Sequence, residues 1–212
     1  MHRSPMNLTP IPLTGRSVRL EPFTAAVRDE VGAAQDADAD GWAIMSSSGE
    51  GEHFAAWWDA AFGEHGRGER IGFAVRRLAD GRVVGTSSYL HIRPEHGGVE
   101  IGATFFHPDA RSGPVNPEAK LLMLAHAFGA GAERVEFMVD TRNLRSQAAV
   151  AKLGATREGV LRRHKRTWTG FLRDTAVFSI LREEWPAVRA GLEHRLRSLS
   201  HGERGGSRIG GA

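Results

Sequence analysis

One stretch decides the interpretation of this sequence: residues 107–118 read HPDARSGPVNPE. Asn116 is a favoured helix N-cap, and Pro117 suits the first helical position, where its missing N–H group would have no partner in any case. The arginine, serine and glycine before them can turn several backbone N–H groups toward one point, where the helix dipole adds about half a positive charge. The stretch therefore predicts an anion site where a loop enters a helix, and pyrophosphate is the usual occupant of such a site. An ordinary strand-to-helix turn is the alternative.

On both sides of this stretch, the spacing of apolar residues predicts alternating strands and helices. Asp80 and Gly81 form a strong hairpin signal between two of the strands. The helix that begins at Pro117 joins two further strands, and a helical crossover of this kind favours a parallel pair. An antiparallel meander thus leads into a strand–helix–strand–helix–strand unit, which is typical of an α/β (α+β) fold. The predicted strands are 17–22, 71–78, 82–91, 99–106, 134–139, 156–168 and 172–181, and the predicted helices are 25–35, 54–62, 117–129, 146–153 and 183–197, with a loop at 36–51.

The length of 212 residues fits one large domain, which we place at residues 13–197. Residues 1–12 are rich in proline, and residues 198–212 are rich in glycine, serine and arginine. We therefore expect a flexible N-terminal segment and a disordered basic tail. The chain has no cysteine, no secretion signal and no apolar run of the roughly 18 residues that would span a membrane. These features predict a cytoplasmic protein without a membrane partner.

The charge of the chain gives little sign of nucleic-acid binding. The formal net charge is +3 and the pI is about 9.9, but the arginines are spread over the whole sequence. The densest basic run, residues 162–166, is typical of one solvated strand face. We therefore expect no DNA partner, and a basic ribosome- or RNA-associated protein is an alternative function. His107 and His164 lack the spacing of a metal pair, so no metal is predicted.

Several short motifs accompany the opening stretch. Neither GxxxxGK[ST] nor a GxGxxG after a strand occurs, but EIG stands at 100–102, NLRS at 143–146 and LG at 153–154. In this order and spacing the chain resembles the GCN5-related N-acetyltransferases, most closely their ribosomal-protein N-terminal acetyltransferase branch. The resemblance implies a mixed, mostly antiparallel central sheet with a splayed parallel pair flanked by helices. It also implies direct transfer of an acetyl group from acetyl-CoA to a primary amine of a protein N-terminus or a small molecule.

Glu100 is the candidate general base. On an alternating strand, the even-numbered residues of 100–106 share one face and the odd-numbered residues of 99–105 share the other. A carboxylate beside glycine and threonine near the end of a central strand can take a proton from an amine, directly or through water. The alternative is a strand glutamate in a salt bridge, with Arg93 as its partner.

The other candidate site residues follow from the resemblance. Asn143 is expected to hold the cofactor arm, and Ser146 is expected to hydrogen-bond or protonate the leaving thiolate, unless it only caps its own helix. Backbone N–H groups near 104–107 would polarise the thioester carbonyl. Phe105 and Phe106 would line the pantetheine arm, although one of them is expected to belong to the core. The residues expected to bind acetyl-CoA are Phe105, Phe106, His107, Arg111, Ser112, Gly113, Val115, Asn116, Asn143 and Ser146.

The sequence departs from this family in two places. The pyrophosphate loop of the family commonly reads Gln/Arg-x-x-Gly-x-Gly/Ala, whereas residues 114–116 here are PVN. Many members carry a tyrosine as general acid seven residues after the asparagine, and that position here is Val150. A catalytically inactive CoA-binding or sensor module is therefore an alternative to the enzyme. The acceptor amine, which a ribosomal protein could supply, the acyl-chain preference and a homodimeric state are all left open by the sequence.

Overall fold

The computed structural model describes residues 5–205 and the side chains of residues 5–199. The strands are β1 (Leu13–Thr14), β2 (Val18–Pro22), β3 (Ile71–Arg77), β4 (Val83–Arg93), β5 (Gly98–Phe106), β6 (Arg134–Asp140), β7 (Thr156–Arg166) and β8 (Leu172–Leu181). The α-helices are α1 (Arg28–Gln35), α2 (Ala39–Trp42), α3 (Phe54–Gly66), α4 (Val115–Gly129), α5 (Leu144–Ala151) and α6 (Trp185–Gly205). The strand β1 and the short helix α2 lie where the sequence pattern predicted no regular structure.

These strands form one sheet in the order β1-β2-β3-β4-β5-β6-β8-β7. Neighbouring strands are antiparallel except β5 and β6, which pair in parallel from Gly98 opposite Arg134 to Glu100 opposite Glu136. The connection between β5 and β6 is α4, as expected for parallel neighbours joined by a helical crossover. The predicted mixed, mostly antiparallel sheet with one parallel pair is confirmed.

Helices cover both faces of the sheet. On one face, α4 and α6 pack against the main core, which includes Phe106 of β5. On the other face, α1 and α3 pack against a smaller core that contains Trp57 and Trp58. The edge strand β7 carries the basic run at 162–166 and is exposed along most of its length. No helix among residues 5–205 is long and apolar enough to cross a bilayer.

Both chain ends differ from the expectation. Met6 is buried in the main core, its N–H donates to the Pro94 carbonyl (3.1 Å), and the Asn7 N–H donates to the Ala130 carbonyl (2.9 Å). Residues 6–8 therefore pack against the domain through a core side chain and backbone hydrogen bonds, whereas residues 9–12 are exposed. At the other end, α6 continues beyond residue 197 to Gly205. The rest of the expected tail, residues 206–212, and residues 1–4 lie outside the described residues.

Helix α4 begins two residues earlier than predicted. Pro114 is its N-cap, and the first helical bond runs from the Glu118 N–H to the Pro114 carbonyl at 2.9 Å. Asn116 therefore lies in the first turn and does not cap the helix. The earlier start is tolerated because Pro117 remains among the first helical positions, whose N–H groups have no intrahelical partner.

The side chain of Glu118 fixes this helix start against the turn between β1 and β2. Its buried carboxylate accepts the backbone N–H groups of Arg16 (2.8 Å), Ser17 (2.6 Å) and Val18 (2.9 Å). A Cβ atom on Gly15 would come within 2.6 Å of the Glu118 carboxyl carbon, so the turn leaves no space for a side chain there. The position of the loop before α4 is thus set by a contact between distant parts of the chain.

Candidate active site

A cleft of about 810 Å³ opens where β5 and β6 diverge. The two strands pair only as far as Glu100 and Glu136, and beyond these residues they form opposite walls of the cleft. The lining includes the loop before α4 and the first turn of α5, and it also includes the α2–α3 loop and the β7–β8 hairpin. This is the splayed parallel pair that the resemblance implied. The candidate site residues that line the cleft are Glu100, Phe105, Phe106, Arg111, Ser112, Gly113, Asn116, Asn143 and Ser146.

A β-bulge in β5 changes which side chains face the cleft. Two residues of β5, Ala103 and Thr104, lie opposite the single residue Ser87 of β4, and φ at Ala103 is 46°. The extra residue reverses the alternation of side chains beyond it. The uniform alternation expected for this strand is therefore wrong after the bulge, because Phe106 joins the main core while Phe105 lies on the other face.

Phe105 and Phe106 are both buried, although parts of both line the cleft. Phe105 stacks on Trp42 of α2, with ring centroids 4.6 Å apart and ring planes 9° from parallel. The guanidinium of Arg111 lies over the Phe105 ring, 5.6 Å from its centroid. The cleft wall at this point is therefore a packed aromatic surface, and both phenylalanines contribute to the core.

Glu100 is 4% exposed and lines the cleft beside His91 of β4. The Glu100 Oε2 atom lies 2.8 Å from Nδ1 of His91. A second bulge produces this contact, since residues 91 and 92 both lie opposite Val99 and φ at His91 is 47°. The hydrogen bond to Glu100 is the largest influence on His91 and raises its pKa, against the opposing effect of partial burial.

Arg93 is not the partner of Glu100. Its Nη2 donates to Glu136 Oε1 at 2.8 Å, so the expected alternative of a salt bridge between Arg93 and Glu100 is wrong. The bulge beside Arg93 shifts its register, and the half-exposed His91 takes the place next to the carboxylate. A Cβ atom on Gly102 would come within 2.6 Å of Glu100 Oε1. Glycine at this position therefore keeps the space that the carboxylate needs.

The loop before α4 presents backbone donors to the cleft. The N–H groups of Val115 and Asn116 precede the first helical bond and have no intrahelical partner. Asn116 Oδ1 is buried and has no hydrogen-bond partner among the described residues. Apart from its chain neighbours, no atom lies within 4 Å of a Cβ built on Gly113, and φ at Ser112 is 71°. An open cradle with free donors at a helix N-terminus fits a pyrophosphate group.

The side chain of Arg111 is already engaged within the protein. Its Nη2 forms an ion pair with Asp38 at 2.5 Å, and its Nε donates to the Phe106 carbonyl at 2.8 Å. Burial alone would raise the pKa of Asp38, but the hydrogen bond and the charge of Arg111 outweigh it and lower the pKa. Arg111 thus ties the loop to the segment between α1 and α2. Arg145 of α5 also lines the cleft and adds a second positive charge.

Asn143 is the N-cap of α5, and its Oδ1 accepts the Ser146 N–H at 2.9 Å. The alternative in which Ser146 caps its own helix is therefore wrong. Val150, seven residues after Asn143, is buried and offers no proton. Tyr89 cannot replace the missing tyrosine, because its hydroxyl donates to the Met123 carbonyl (2.7 Å) and the side chain is fully buried away from the cleft lining.

Two of the residues expected to bind the cofactor do not line the cleft. The His107 Nδ1 atom lies 2.8 Å from Asp109 Oδ1, and the His107 N–H donates to the Val84 carbonyl at 2.8 Å, so this N–H is not available to a thioester. Val115 is buried in the main core and can offer only its backbone. Within residues 5–199, no group of three or more His, Cys, Asp or Glu side chains is arranged to hold a metal ion.

Lys120 of α4 is a cleft residue that the sequence did not single out. It is 5% exposed, and its Nζ donates to Ser87 Oγ (2.9 Å) and Thr104 Oγ1 (2.7 Å). Burial lowers the pKa of Lys120 to about 7. Its helical spacing could have indicated that it is buried, since it stands three and four residues before the apolar Met123 and Leu124.

Comparison with known proteins agrees with this architecture. The family described as Acetyltransferase (GNAT) domain matches residues 17–156, whereas no curated protein matches the sequence. A GCN5-related N-acetyltransferase from Brucella melitensis is 30% identical, with 92% of this chain and 89% of that chain covered and a TM-score of 0.83. A protein from T. thermophilus, provisionally named an acetyltransferase, is 40% identical over 90% of this chain and 100% of that chain, with a TM-score of 0.80. Mycobacterium smegmatis RimJ in complex with CoA-disulfide shares the fold at 22% identity, over 91% of this chain and 97% of that chain, with a TM-score of 0.74. This chain belongs to the GNAT family of acetyltransferases.

Proposed function

We propose that this GNAT acetyltransferase transfers the acetyl group of acetyl-CoA directly to a primary amine, on a protein N-terminus or a small molecule. The observation that carries the proposal is the position of Glu100. A buried carboxylate with one oxygen held by His91 lies where β5 and β6 diverge, in the same cleft as a cradle suited to the cofactor phosphates. Bulges on both sides of Glu100 fix this arrangement.

The residues of the cleft fit acetyl-CoA. The free N–H groups of Val115 and Asn116 would hold the pyrophosphate, with Arg145 adding positive charge nearby. Asn143 would bind the pantetheine arm through its Nδ2, because its Oδ1 is occupied as a helix cap. When bound, the cofactor supplies the thioester that carries the acetyl group. The backbone of β5 beyond the bulge at Ala103 would provide the N–H donors that polarise the thioester carbonyl.

Glu100 is placed to take a proton from the acceptor amine. His91 holds Oε2, so Oε1, which lies over Gly102, is the atom left for the substrate. An α-amine with a pKa near 7.7–8.0 is already about one-tenth neutral at pH 7, whereas less than about a thousandth of a lysine amine is neutral. Glu100 therefore matters more for lysine acceptors than for N-terminal acceptors.

Ser146 is the proposed hydrogen-bond donor to the departing sulfur. Val150 cannot serve, and Tyr89 is committed to the Met123 carbonyl. Ser146 lines the cleft in the first turn of α5, and its N–H bond to Asn143 fixes that turn. Its hydroxyl can donate toward the sulfur while Glu100 accepts the amine proton, which separates the two proton-transfer roles between two elements.

A thiol-release assay with acetyl-CoA and a panel of amines tests the proposal. The panel contains peptides with free N-termini, including those of ribosomal proteins, lysine side-chain acceptors and polyamines, and calorimetry measures acetyl-CoA binding in parallel. We expect acetyl-CoA to bind and at least one amine to release thiol. Glu100→Gln should lower kcat/KM about a hundredfold or more at pH 7, and the matched control Glu95→Gln alters an exposed turn residue.

Two results would count against the proposal in different ways. Binding of acetyl-CoA without thiol release from any amine would indicate the inactive CoA-binding module instead of the enzyme. Thiol release with an unchanged rate and pH profile in Glu100→Gln would leave the enzyme intact and refute Glu100 as the base.

A further inference from the structure

Two buried arginines line the same cleft as Glu100 and have no role in the proposed mechanism. The first is Arg70, which directly precedes β3 and is 7% exposed. Its Nε donates to Ser88 Oγ at 2.9 Å, and its Nη1 reaches Glu64 Oε2 only at 3.4 Å. Its Nη2 is buried and has no hydrogen-bond partner among the described residues. Burial lowers the pKa of Arg70, with Glu64 offsetting part of the effect.

The second is Arg173 of β8, which is 6% exposed. Its Nε donates to Thr175 Oγ1 (3.0 Å) and its Nη1 to Ser46 Oγ (3.2 Å). Both partners are neutral hydroxyl groups. Burial lowers the pKa of Arg173, and the negative charges of Asp140 and Glu100 counteract part of this effect. Among residues 5–199 Arg173 has no carboxylate within ion-pair distance, whereas Arg70 has one long ion pair, to Glu64 at 3.4 Å.

Glu100 lies near both arginines. Ser88, which binds Arg70, pairs across the strands with Gly102, and residues directly opposite in an antiparallel pair point to the same face. Glu100 lies two residues before Gly102 on this same face, with its Oε1 over Gly102. Arg173 is near enough to Glu100 to be influenced by its charge. The proposed base therefore lies near two guanidinium groups, one on the residue that precedes β3 and one on β8.

The charges around this region are mainly positive. Lys165 and the half-exposed His91 also line the cleft. Its acidic lining residues besides Glu100 are the partly exposed Glu64, the exposed Glu69 and the buried Asp140, which pairs with Arg142. A buried charge without a partner is strongly unfavourable, and an unpaired buried donor is rare in a folded protein. A bound ligand could supply the acceptor oxygen that Arg70 Nη2 lacks among the described residues. A carboxylate is a suitable ligand, because its two oxygens match the donors of a guanidinium group.

We propose that the acceptor amine carries a carboxylate, and that Arg70 and Arg173 bind this carboxylate while the amine faces Glu100. This inference rests on the proposed acetyl transfer and specifies its substrate class. It predicts that the enzyme selects among amines by the negative charge beside the amine. The α-carboxylate of a free amino acid and an acidic side chain near a peptide N-terminus present the same chemistry to the two arginines.

Matched pairs of amines in the thiol-release assay test this inference. The pairs are L-alanine and L-alaninamide, the peptides Ser-Asp-Gly-Gly-amide and Ser-Asn-Gly-Gly-amide, and aminoethyl phosphate and ethanolamine. We expect kcat/KM to be about ten- to a hundredfold higher for the carboxylate member of one of the first two pairs. A preference only in the phosphate pair, or equal rates within every pair, would overturn the inference without affecting acetyl transfer itself. No thiol release from any amine would contradict the proposed function and the inference together.

Variants of Arg70 and Arg173 test whether these two residues cause the preference for amines that carry a carboxylate. Arg70→Gln and Arg173→Gln should each reduce the ratio of kcat/KM between the charged and neutral members about tenfold or more. Arg70→Lys, which keeps the charge, should retain part of this selectivity. Arg189→Gln on α6 is the matched control, since Arg189 is exposed and pairs with Glu193 one turn away. Folded Arg70→Gln and Arg173→Gln proteins with unchanged selectivity would show that the carboxylate is recognised elsewhere.

Discussion

Replacing Lys120 by methionine should change how the stability of the protein depends on pH. The Lys120 amine is fully buried, its partners are the hydroxyls of Ser87 and Thr104, and its pKa falls from 10.5 to about 7 because of burial. Methionine has nearly the same length but carries no charge. The two hydroxyls remain 2.7 Å apart and can bond to each other in the variant.

The direction of this pH dependence follows from the protonation of Lys120 in the folded and the unfolded chain. Below pH 7 the Lys120 amine is charged in both the folded and the unfolded chain, so the full burial penalty is present. Above pH 7 the folded protein loses the proton first, while the unfolded chain keeps it up to about pH 10.5, and stability therefore rises with pH in this window. With the pKa lowered from 10.5 to about 7 and about 1.4 kcal/mol for each pH unit, the total relief is about 5 kcal/mol. About 2 kcal/mol of it falls between pH 7 and pH 9.

Urea unfolding of the wild type and Lys120→Met at pH 6, 7, 8 and 9 measures this difference. Other titrating groups are common to both proteins and cancel in the comparison. The free energy of unfolding of the wild type should rise by about 2 kcal/mol relative to the variant between pH 7 and pH 9. The exposed Lys152→Met is the control for loss of a lysine charge and should show no such trend. A constant difference between wild type and Lys120→Met over this range would refute the account of Lys120 as a buried amine that loses its charge near neutrality.

Three further changes have definite expected outcomes. Glu118→Ala should lower the free energy of unfolding by about 3–5 kcal/mol in urea, because three N–H groups of the β1–β2 turn lose a charged acceptor; a loss below about 1 kcal/mol would contradict this role. Trp42→Ala should lower the free energy of unfolding by about 3–5 kcal/mol and weaken the packing of Phe105 on the cleft wall. A near-UV circular dichroism spectrum that matches the wild type would contradict the stacked pair. His91→Gln should lower the melting temperature more at pH 5.5 than at pH 9. The pKa of His91 is raised in the folded protein, so its pairing with Glu100 stabilises the fold fully below the unfolded pKa of about 6.5, and this stabilisation is lost as the pH rises through the folded pKa. Equal losses at both pH values would exclude this coupling.

Periodic elements were predictable from the sequence because they depend on local spacing. The helix at 54–62, the hairpin at Asp80–Gly81 and the parallel pair joined by the α4 crossover all appear in the structure. Glu100 could be selected as a candidate because a carboxylate within a central strand is unusual. Its partner could not be predicted, since the bulge that brings His91 beside it involves no glycine and therefore leaves no signal in the sequence.

Other features of the cleft depend on contacts between distant residues. The bulge at Ala103 reversed the expected faces of Phe105 and Phe106, and its one local sign is Gly102, an isolated glycine within the predicted strand. The segment at 36–51, interpreted as a loop, supplies the ring that stacks on Phe105 and the carboxylate that pairs with Arg111. Such contacts follow from the way the sheet brings separate elements together, and a single sequence does not specify them.

Transfer of a labelled acetyl group is the decisive measurement for the proposed activity. The full chain is incubated with acetyl-CoA carrying a ¹³C-labelled acetyl group and with the amine panel, and mass spectrometry counts labelled amines against released thiol. The structure predicts one labelled amide for each thiol released, with a loss of about a hundredfold or more in Glu100→Gln at pH 7. Acetyl-CoA that binds but leaves every amine unlabelled, or thiol that appears without any labelled amine, would contradict acetyl transfer to an amine in this cleft.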